Sequence, residues 1–222
     1  MQRDLILRDV RKALGRDAGQ AVPPPPPARI VIPDVPVSQR IDSMLDRVAA
    51  LAGKTLRAKS MAEAREYVAA LIEGKTAVAS NAPFLRDCGI AELPGVSSGI
   101  TDREELRRLC ATCNYGITSA DYGLSDTGSL VMLSSREEAR LVSLLPPAHI
   151  AVVPASKLLT GLDELFSILP RPAEQTSSMV LITGPSRTAD IEQILVRGVH
   201  GPGEIHVVVV EEETAIAGPP EP

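Results

Sequence analysis

Two stretches carry residue types that do acid–base and anion-binding chemistry, each at a spacing short enough for one loop cluster. The first runs from Gly116-Ile117-Thr118-Ser119-Ala120-Asp121 into Ser125-Asp126-Thr127-Gly128-Ser129-Leu130. The second runs from Gly184-Pro185-Ser186-Arg187-Thr188-Ala189-Asp190 to Gly198-Val199-His200-Gly201-Pro202. Both set carboxylates, hydroxyls and glycines at the ends of apolar runs, where the chain turns and its amides face a ligand. Asp121 and Asp126 are candidate catalytic carboxylates at one sheet edge, where a second carboxylate would serve as general base or orient a substrate hydroxyl. Gly128 permits a left-handed backbone between Thr127 and Ser129, whose hydroxyls and amides would cradle an anion; a plain hairpin turn uses the same residues.

In the second stretch an apolar strand ends at Gly184, and a helix from Thr188 onward would turn free amides and its positive dipole end toward a phosphate or carboxylate. Arg187 at that mouth would pair with the anion. Helix capping by Ser186 and Thr188, with Asp190 complementing the dipole, accounts for the same pattern. His200, set among glycines, is a candidate proton-transfer group, with exposure on a turn as its plainer role. His149 at a strand's start and His206 within a strand read as structural. Lys157 is placed either to reach an anion or to stay solvated.

Cys110 and Cys113 form a CxxC, but only Cys88 remains as a further thiol, and cluster ligation wants four ligands. The pair falls on the apolar side of a helix with Leu106 and Leu109, so buried core is the better reading and no metal site is expected. There is no Walker loop and no G-x-G-x-x-G after a strand, hence no familiar nucleotide fingerprint.

The chain has 222 residues, 44% of them hydrophobic, enough to bury a core in one domain. Aromatic content of 2% and a formal charge of −5, without a Lys/Arg stripe, argue against nucleic acid and for small molecules or proteins as partners. No apolar run reaches the roughly 20 residues that span a bilayer, and Met1-Gln2-Arg3-Asp4 does not open like a signal peptide. With three cysteines and no disulfide framework, a cytoplasmic location is expected.

Ile6, Val10, Ala13 and Leu14 predict a helix over 3–14, stopped by Gly15. Pro23 to Pro27 is a polyproline spacer, so the expected organisation is an N-terminal helix and linker over 1–36, an α/β domain over 37–215 and a frayed tail over 216–222. A helix carries Ile41, Met44, Leu45, Val48 and Leu51; Ser60 with Glu63, and Thr101 with Glu104, form capping boxes for two more. Thr160 caps a run through Leu169. Apolar β-branched runs at Thr76–Ser80, Val96–Ser98, Tyr115–Thr118, Leu130–Ser134, Ile150–Val153, Met179–Thr183 and Ile205–Val210 alternate with these helices. That alternation predicts a mostly parallel sheet in a three-layer α/β sandwich behind a helical preface.

Gly116 to Asp121, Asp126 to Leu130, Ala139 to Ile150, Gly184 to Ile191 and Gly198 to Pro202 together resemble the LUD-domain family, formerly DUF162, in its lactate-utilisation protein C group. The resemblance covers Thr76 to Glu211. Where members often carry Ala-Glu-Thr-Gly, this chain has Ser125-Asp126-Thr127-Gly128, which keeps the carboxylate; the CxxC is not part of the pattern. The resemblance implies a Rossmann-like fold of the glucosamine-6-phosphate deaminase, ribose-5-phosphate isomerase and CoA-transferase (NagB/RpiA/CoA-transferase-like) kind. It also implies a part in oxidising L-lactate to pyruvate beside two iron-sulfur partners, lactate-utilisation proteins A and B. It carries over no catalytic residue. With neither a dinucleotide loop nor thiols for a cluster, the redox centre is expected in those partners, and this chain is expected to bind a small carboxylate, phosphate or anionic cofactor. The rival expectations are a stand-alone sugar-phosphate isomerase or CoA-transferase-like enzyme and a scaffold that recruits partners through its N-terminal helix.

Overall fold

The computed structural model describes residues 2–16, 32–191 and 194–212 and divides into two units, Met1–Val31 and Ile32–Pro222. In the first unit, helix α1 (Gln2–Ala13) ends where Gly15 adopts a φ of 62°. Its Leu5, Ile6 and Val10 are exposed. The proline run and the 216–222 tail lie outside the described residues.

The second unit opens with α2 (Val37–Ala50), whose Ile41, Met44 and Val48 recur on one face and are buried. There follow β1 (Lys54–Ala58), α3 (Met61–Ile72), β2 (Ala77–Ala79), α4 (Pro83–Asp87), β3 (Val96–Ser97), α5 (Arg103–Thr112) and β4 (Tyr115–Ser119). The middle of the chain forms β5 (Tyr122–Leu124), β6 (Ser129–Leu133), α6 (Arg140–Leu144), β7 (Ala148–Pro154) and β8 (Leu158–Leu159). Last come α7 (Leu162–Ile168), α8 (Pro172–Gln175), β9 (Met179–Ile182), β10 (Arg187–Ile191), β11 (Ile194–Arg197) and β12 (Glu204–Val210).

Six strands make one parallel sheet in the order β1-β12-β7-β4-β2-β3. Every residue of β7, and every one after Glu204 in β12, is buried. Runs without polar alternation fit only a strand covered on both faces. On one face, α3 and α4 pack Val68, Ile72 and Leu85 against Ile117, Ile150 and Val208. The other face carries α2 and a smaller sheet, β8-β5-β6-β9, with Met44 and Leu130 against Ala151, Val207 and Val209. Beside them α5 and α6 bury Cys110, Cys113 and Val142 against Val78. A Cβ on Gly116 would stand 1.8 Å from the Val142 carbonyl oxygen, so only glycine lets α6 approach β4 this closely. The α/β expectation holds, with a small mixed sheet forming part of one outer layer.

Three local expectations are corrected. Helix α5 is capped by Asp102, which accepts from the Glu105 amide at 2.7 Å, one residue later than the Thr101 box. Thr160 does not cap α7; its amide and hydroxyl both donate to Glu164, at 2.6 and 2.8 Å, and Gly161 is the N-cap residue. The helix expected from Thr188 is instead a β-hairpin in which β10 and β11 pair Arg187 with Arg197 and Thr188 with Val196. Ile191, Ile194 and Leu195 match a helical period, but the segment is rich in β-branched residues and lies between Gly184 and Gly198, both at positive φ. Strand pairing prevails over the short periodic run.

Candidate functional site

The direction in which the chain winds through the large sheet reverses at β2. From β2 it steps outward to β3, then returns to β4 and adds β7 and β12 on the far side. Ligands of open α/β sheets bind at such a reversal, in the crevice beyond the carboxyl ends of the strands. Here those ends are Ser80 after β2, Ser119 closing β4 and Pro154 closing β7.

One side chain joins the first two ends. Glu138, 7% exposed, accepts through Oε1 from the Ser80 hydroxyl at 2.7 Å and from the Ser119 amide at 2.9 Å. Its other oxygen, Oε2, is buried and meets no hydrogen-bond partner among the described residues. Ser135 presents it, because the Ser135 hydroxyl accepts from the Glu137 and Glu138 amides in a tight turn after β6. Burial pushes the Glu138 carboxyl up to about 7, with the nearby Asp121 charge adding to the shift while the Ser80 and Ser119 bonds oppose it.

Glu138 lines a cavity of about 410 Å³ with Phe84, Ser119, Asp121, Tyr122 and Lys157. Asp121 is also raised by burial, against the Leu133 amide that donates to its Oδ2 at 2.6 Å and the charge of Lys157. The exposed Lys157 ammonium lies 5.7 Å from the centre of the Tyr122 ring. The arrangement offers a proton exchanger poised near neutrality, a second carboxylate, a cation and an aromatic wall, which suits a small anionic molecule whose hydroxyl or carbonyl exchanges a proton.

The residues predicted from sequence are spread over four places. Asp121 lies in this cavity, but Asp126 sits at the opposite end of β5, exposed, with its carboxylate against Gly161, where an added Cβ would stand 2.6 Å from Oδ2. The two carboxylates therefore do not converge. Thr127 and Ser129 hydroxyls are 2.8 Å apart, and Ser129 continues to Thr183 at 2.7 Å, stapling the β5–β6 turn to the end of β9. Gly128, at φ 71°, turns tightly against Arg47 of α2, so the hairpin role describes this segment.

Gly184, Ser186 and His200 do meet, around a cavity of about 220 Å³ floored by His149. The Ser186 amide donates to the Pro202 carbonyl at 2.9 Å, and the Gly198 amide donates to the Ser186 carbonyl at 3.0 Å. His149 is fully buried, bonded through Nε2 to the Thr118 hydroxyl at 2.8 Å and unpartnered at Nδ1; burial lowers it to about 4, too acidic to exchange protons near neutrality. Arg187 donates to the Leu51 carbonyl, and Thr188 and Asp190 fall on β10, so the helix N-terminus expected at this cavity does not form. Among the described residues no cluster of His, Cys, Asp and Glu is arranged to hold a metal ion.

Residues 41–210 match the LUD domain family model. The chain belongs to the LUD-domain family. Lactate utilization protein C of Halalkalibacterium halodurans is 40% identical over 116 residues, covering 50% of each chain. Lactate utilization protein C of Bacillus subtilis is 36% identical over 113 residues, covering 49% of this chain and 47% of its own. The chain thus spans about half the length of the curated relatives it matches. The crystal structure of a DUF162 family protein from Deinococcus radiodurans superposes with a TM-score of 0.60 at 17% identity, over 79% of this chain and 99% of that one, which shows the same fold.

In this LUD-domain chain the sequence reading missed Glu138. It stands in Ser134-Ser135-Arg136-Glu137-Glu138-Ala139-Arg140, which reads as a solvated charged turn. The available signal was position: a carboxylate a few residues past the buried strand Ser129–Leu133, at the end of the sheet where ligands collect. The three thiols are buried; burial pushes Cys88 up to about 12 and Cys110 up to about 11, and raises Cys113, so all three stay protonated core groups.

Proposed function

We propose that this LUD-domain chain takes part in lactate utilisation by binding a small 2-hydroxy or 2-keto acid in the Glu138 cavity. Lys157 faces the substrate carboxylate, Phe84 and Tyr122 pack its methyl group, and Glu138 exchanges the proton of the 2-hydroxyl through its free oxygen. The observation that carries this reading is the buried, unpartnered Oε2 at a topological reversal. An orphaned carboxylate oxygen costs about 1–3 kcal/mol, and a bound hydroxyl would satisfy it. The raised carboxyl suits the task, since a group near its midpoint at the working pH both takes and returns a proton.

Turning lactate into pyruvate removes the hydroxyl proton together with the C2 hydrogen and its two electrons. Glu138 takes the first. The C2 hydrogen leaves with both electrons as a hydride to a two-electron acceptor outside this chain. We place that acceptor in the iron-sulfur partners A and B that the family resemblance implies, because three buried protonated thiols give this chain no four-ligand set. The names of the relatives support the pathway, and the cavity supports the substrate class. The stand-alone sugar-phosphate isomerase or CoA-transferase reading is not favoured: its phosphate seat required a helix terminus at Ser186, where the chain forms a hairpin.

The test is ligand-observed NMR with L-lactate and pyruvate on the intact chain. Binding that weakens at least tenfold in Lys157→Gln and Glu138→Gln, but not in Asp126→Asn, supports the reading. Saturation transfer that is unchanged by either cavity substitution removes it.

A further inference from the structure

A second and larger cavity, of about 840 Å³, opens between α5, α6 and the end of β2. Its charged lining is Arg103, Arg107, Arg136 and Arg140 against a single carboxylate, Glu137. We propose that this cavity is a binding site for a small molecule carrying a diphosphate group, a site that adjoins the Glu138 cavity through Glu137 and is independent of the role assigned there.

The chain as a whole is acidic, at −5, so four arginines around one cavity run against its composition. Several cations elsewhere are paired with carboxylates: Arg40 with Glu164, Arg57 with Asp42 and Glu211, Lys54 with Glu204, and Arg171 with Glu174. Among the described residues, Arg103, Arg107 and Arg136 meet no carboxylate within ion-pair distance, although Glu104, Glu105 and Glu137 are their sequence neighbours. Arg140 is engaged only by the Ser178 hydroxyl, at 3.2 Å. Four like charges against one carboxylate leave a net repulsion, and an anion relieves it.

Local structure sets them in two pairs around the cavity. Arg103 and Arg107 are four residues apart on α5 and share a face; Arg136 and Arg140 flank the turn that enters α6. Asn81 fixes the wall between the two pairs, donating its amide to the Glu137 carbonyl at 2.8 Å and its side chain to the Ile100 carbonyl at 2.9 Å. Guanidiniums recognise phosphate through two parallel N–H donors, so four of them in two pairs match two adjacent phosphates better than one. The volume, about twice that of the Glu138 cavity, leaves room for the rest of such a molecule.

The test is calorimetric titration of the full-length chain with inorganic pyrophosphate and, separately, with inorganic phosphate. Pyrophosphate is expected to bind one to one with Kd below about 1 mM, at least tenfold tighter than phosphate, and to weaken as salt rises. Arg107→Gln and Arg136→Gln should each weaken it about tenfold, Arg107→Lys by a smaller factor because the charge remains and the fork is lost, and the exposed control Arg171→Gln should leave it unchanged. No pyrophosphate binding to the wild-type chain, equal affinity for the two anions, or equal loss in the Arg171 control would each overturn the site.

Discussion

Two buried ionisable groups at opposite ends of the parallel sheet, His206 and Glu138, are treated in opposite ways, while His149 beside His206 leaves Nδ1 unpartnered. At the amino ends, His206 is buried with both ring nitrogens engaged: Nδ1 with the Tyr67 hydroxyl at 2.8 Å and Nε2 with Glu204 at 2.7 Å. Glu204 also takes the Lys54 ammonium at 2.6 Å, and the Tyr115 ring meets His206 edge-on. A neutral imidazole with its proton on Nε2 satisfies every bond in that set, and burial does hold its pKa below the ordinary value. At the carboxyl ends, Glu138 beside a cavity engages one oxygen and leaves the other buried without a partner. A closed network stabilises the fold, whereas an unpaired buried oxygen costs it desolvation energy.

The largest expected effect breaks the open end alone. Glu138→Gln keeps an oxygen to accept from Ser80 and Ser119 but cannot take a proton, so lactate-dependent growth or turnover should fall by about 10²–10⁴-fold. The melting temperature should stay level or rise, since a carboxyl that burial pushes up to about 7 destabilises the fold when ionised. A Glu138→Gln chain that unfolds would place this residue with the structural set instead.

Next in size is the closed end. His206→Ala removes a packed ring and strands the Tyr67 hydroxyl, which should cost about 3 kcal/mol in urea denaturation. Tyr67→Phe should cost about 1 kcal/mol by leaving Nδ1 unpartnered. Lactate binding per folded molecule should be unchanged in both, and a tenfold loss in either would erase the contrast between the ends.

The pH dependence of stability sharpens it further. His149, lowered to about 4 from 6.5, stabilises fully above pH 6.5 and loses that contribution as pH falls toward 4, because the unfolded chain takes up the proton first. Glu138 has the opposite sign: raised from 4.5 to about 7, its contribution is present below pH 4.5 and lost as pH rises through 7. Each is worth about 3 kcal/mol at the ends of its range. Between pH 4.5 and 6.5 the two nearly offset each other in the wild-type chain. In Glu138→Gln the slopes of His149 and His206, which have the same sign, are no longer opposed by Glu138, and unfolding free energy should drop by about 3 kcal/mol or more over that interval on acidification. Equal slopes in the two chains would mean that Glu138 does not titrate near neutrality.

The sheet was legible in the sequence because two of its inner strands carry continuous apolar runs, Ile150–Val153 and Val207–Val210, whose type needs no partner to be known. Ser60 was legible for a similar local reason: its hydroxyl accepts from Glu63 three residues on, at 3.2 Å. The α5 cap was missed by one residue because Thr101 and Asp102 each have a glutamate three places ahead. The Glu138 site was illegible because its bonds come from Ser80 and Ser119, 58 and 19 residues away. Burial of a carboxylate by distant strands leaves no local pattern. The arginine cavity was hidden likewise, since two pairs separated by the whole of β4 to β6 line one cavity only when α5 and α6 pack.

The smallest expected effects concern two residues that look most catalytic in sequence. Asp126 is exposed at the tip of the β5–β6 turn, and His200 is exposed beyond β11, each across the molecule's framework from Glu138. Surface changes away from caps, cavities and networks stay within about 0.5 kcal/mol. Asp126→Asn and His200→Ala should therefore hold stability within that range and leave growth on lactate at the wild-type rate. If Asp126→Asn stopped that growth while its unfolding curve stayed superimposable on the parent's, the chemistry would lie on the α7 side of the small sheet, and the orphaned Glu138 oxygen would need another explanation.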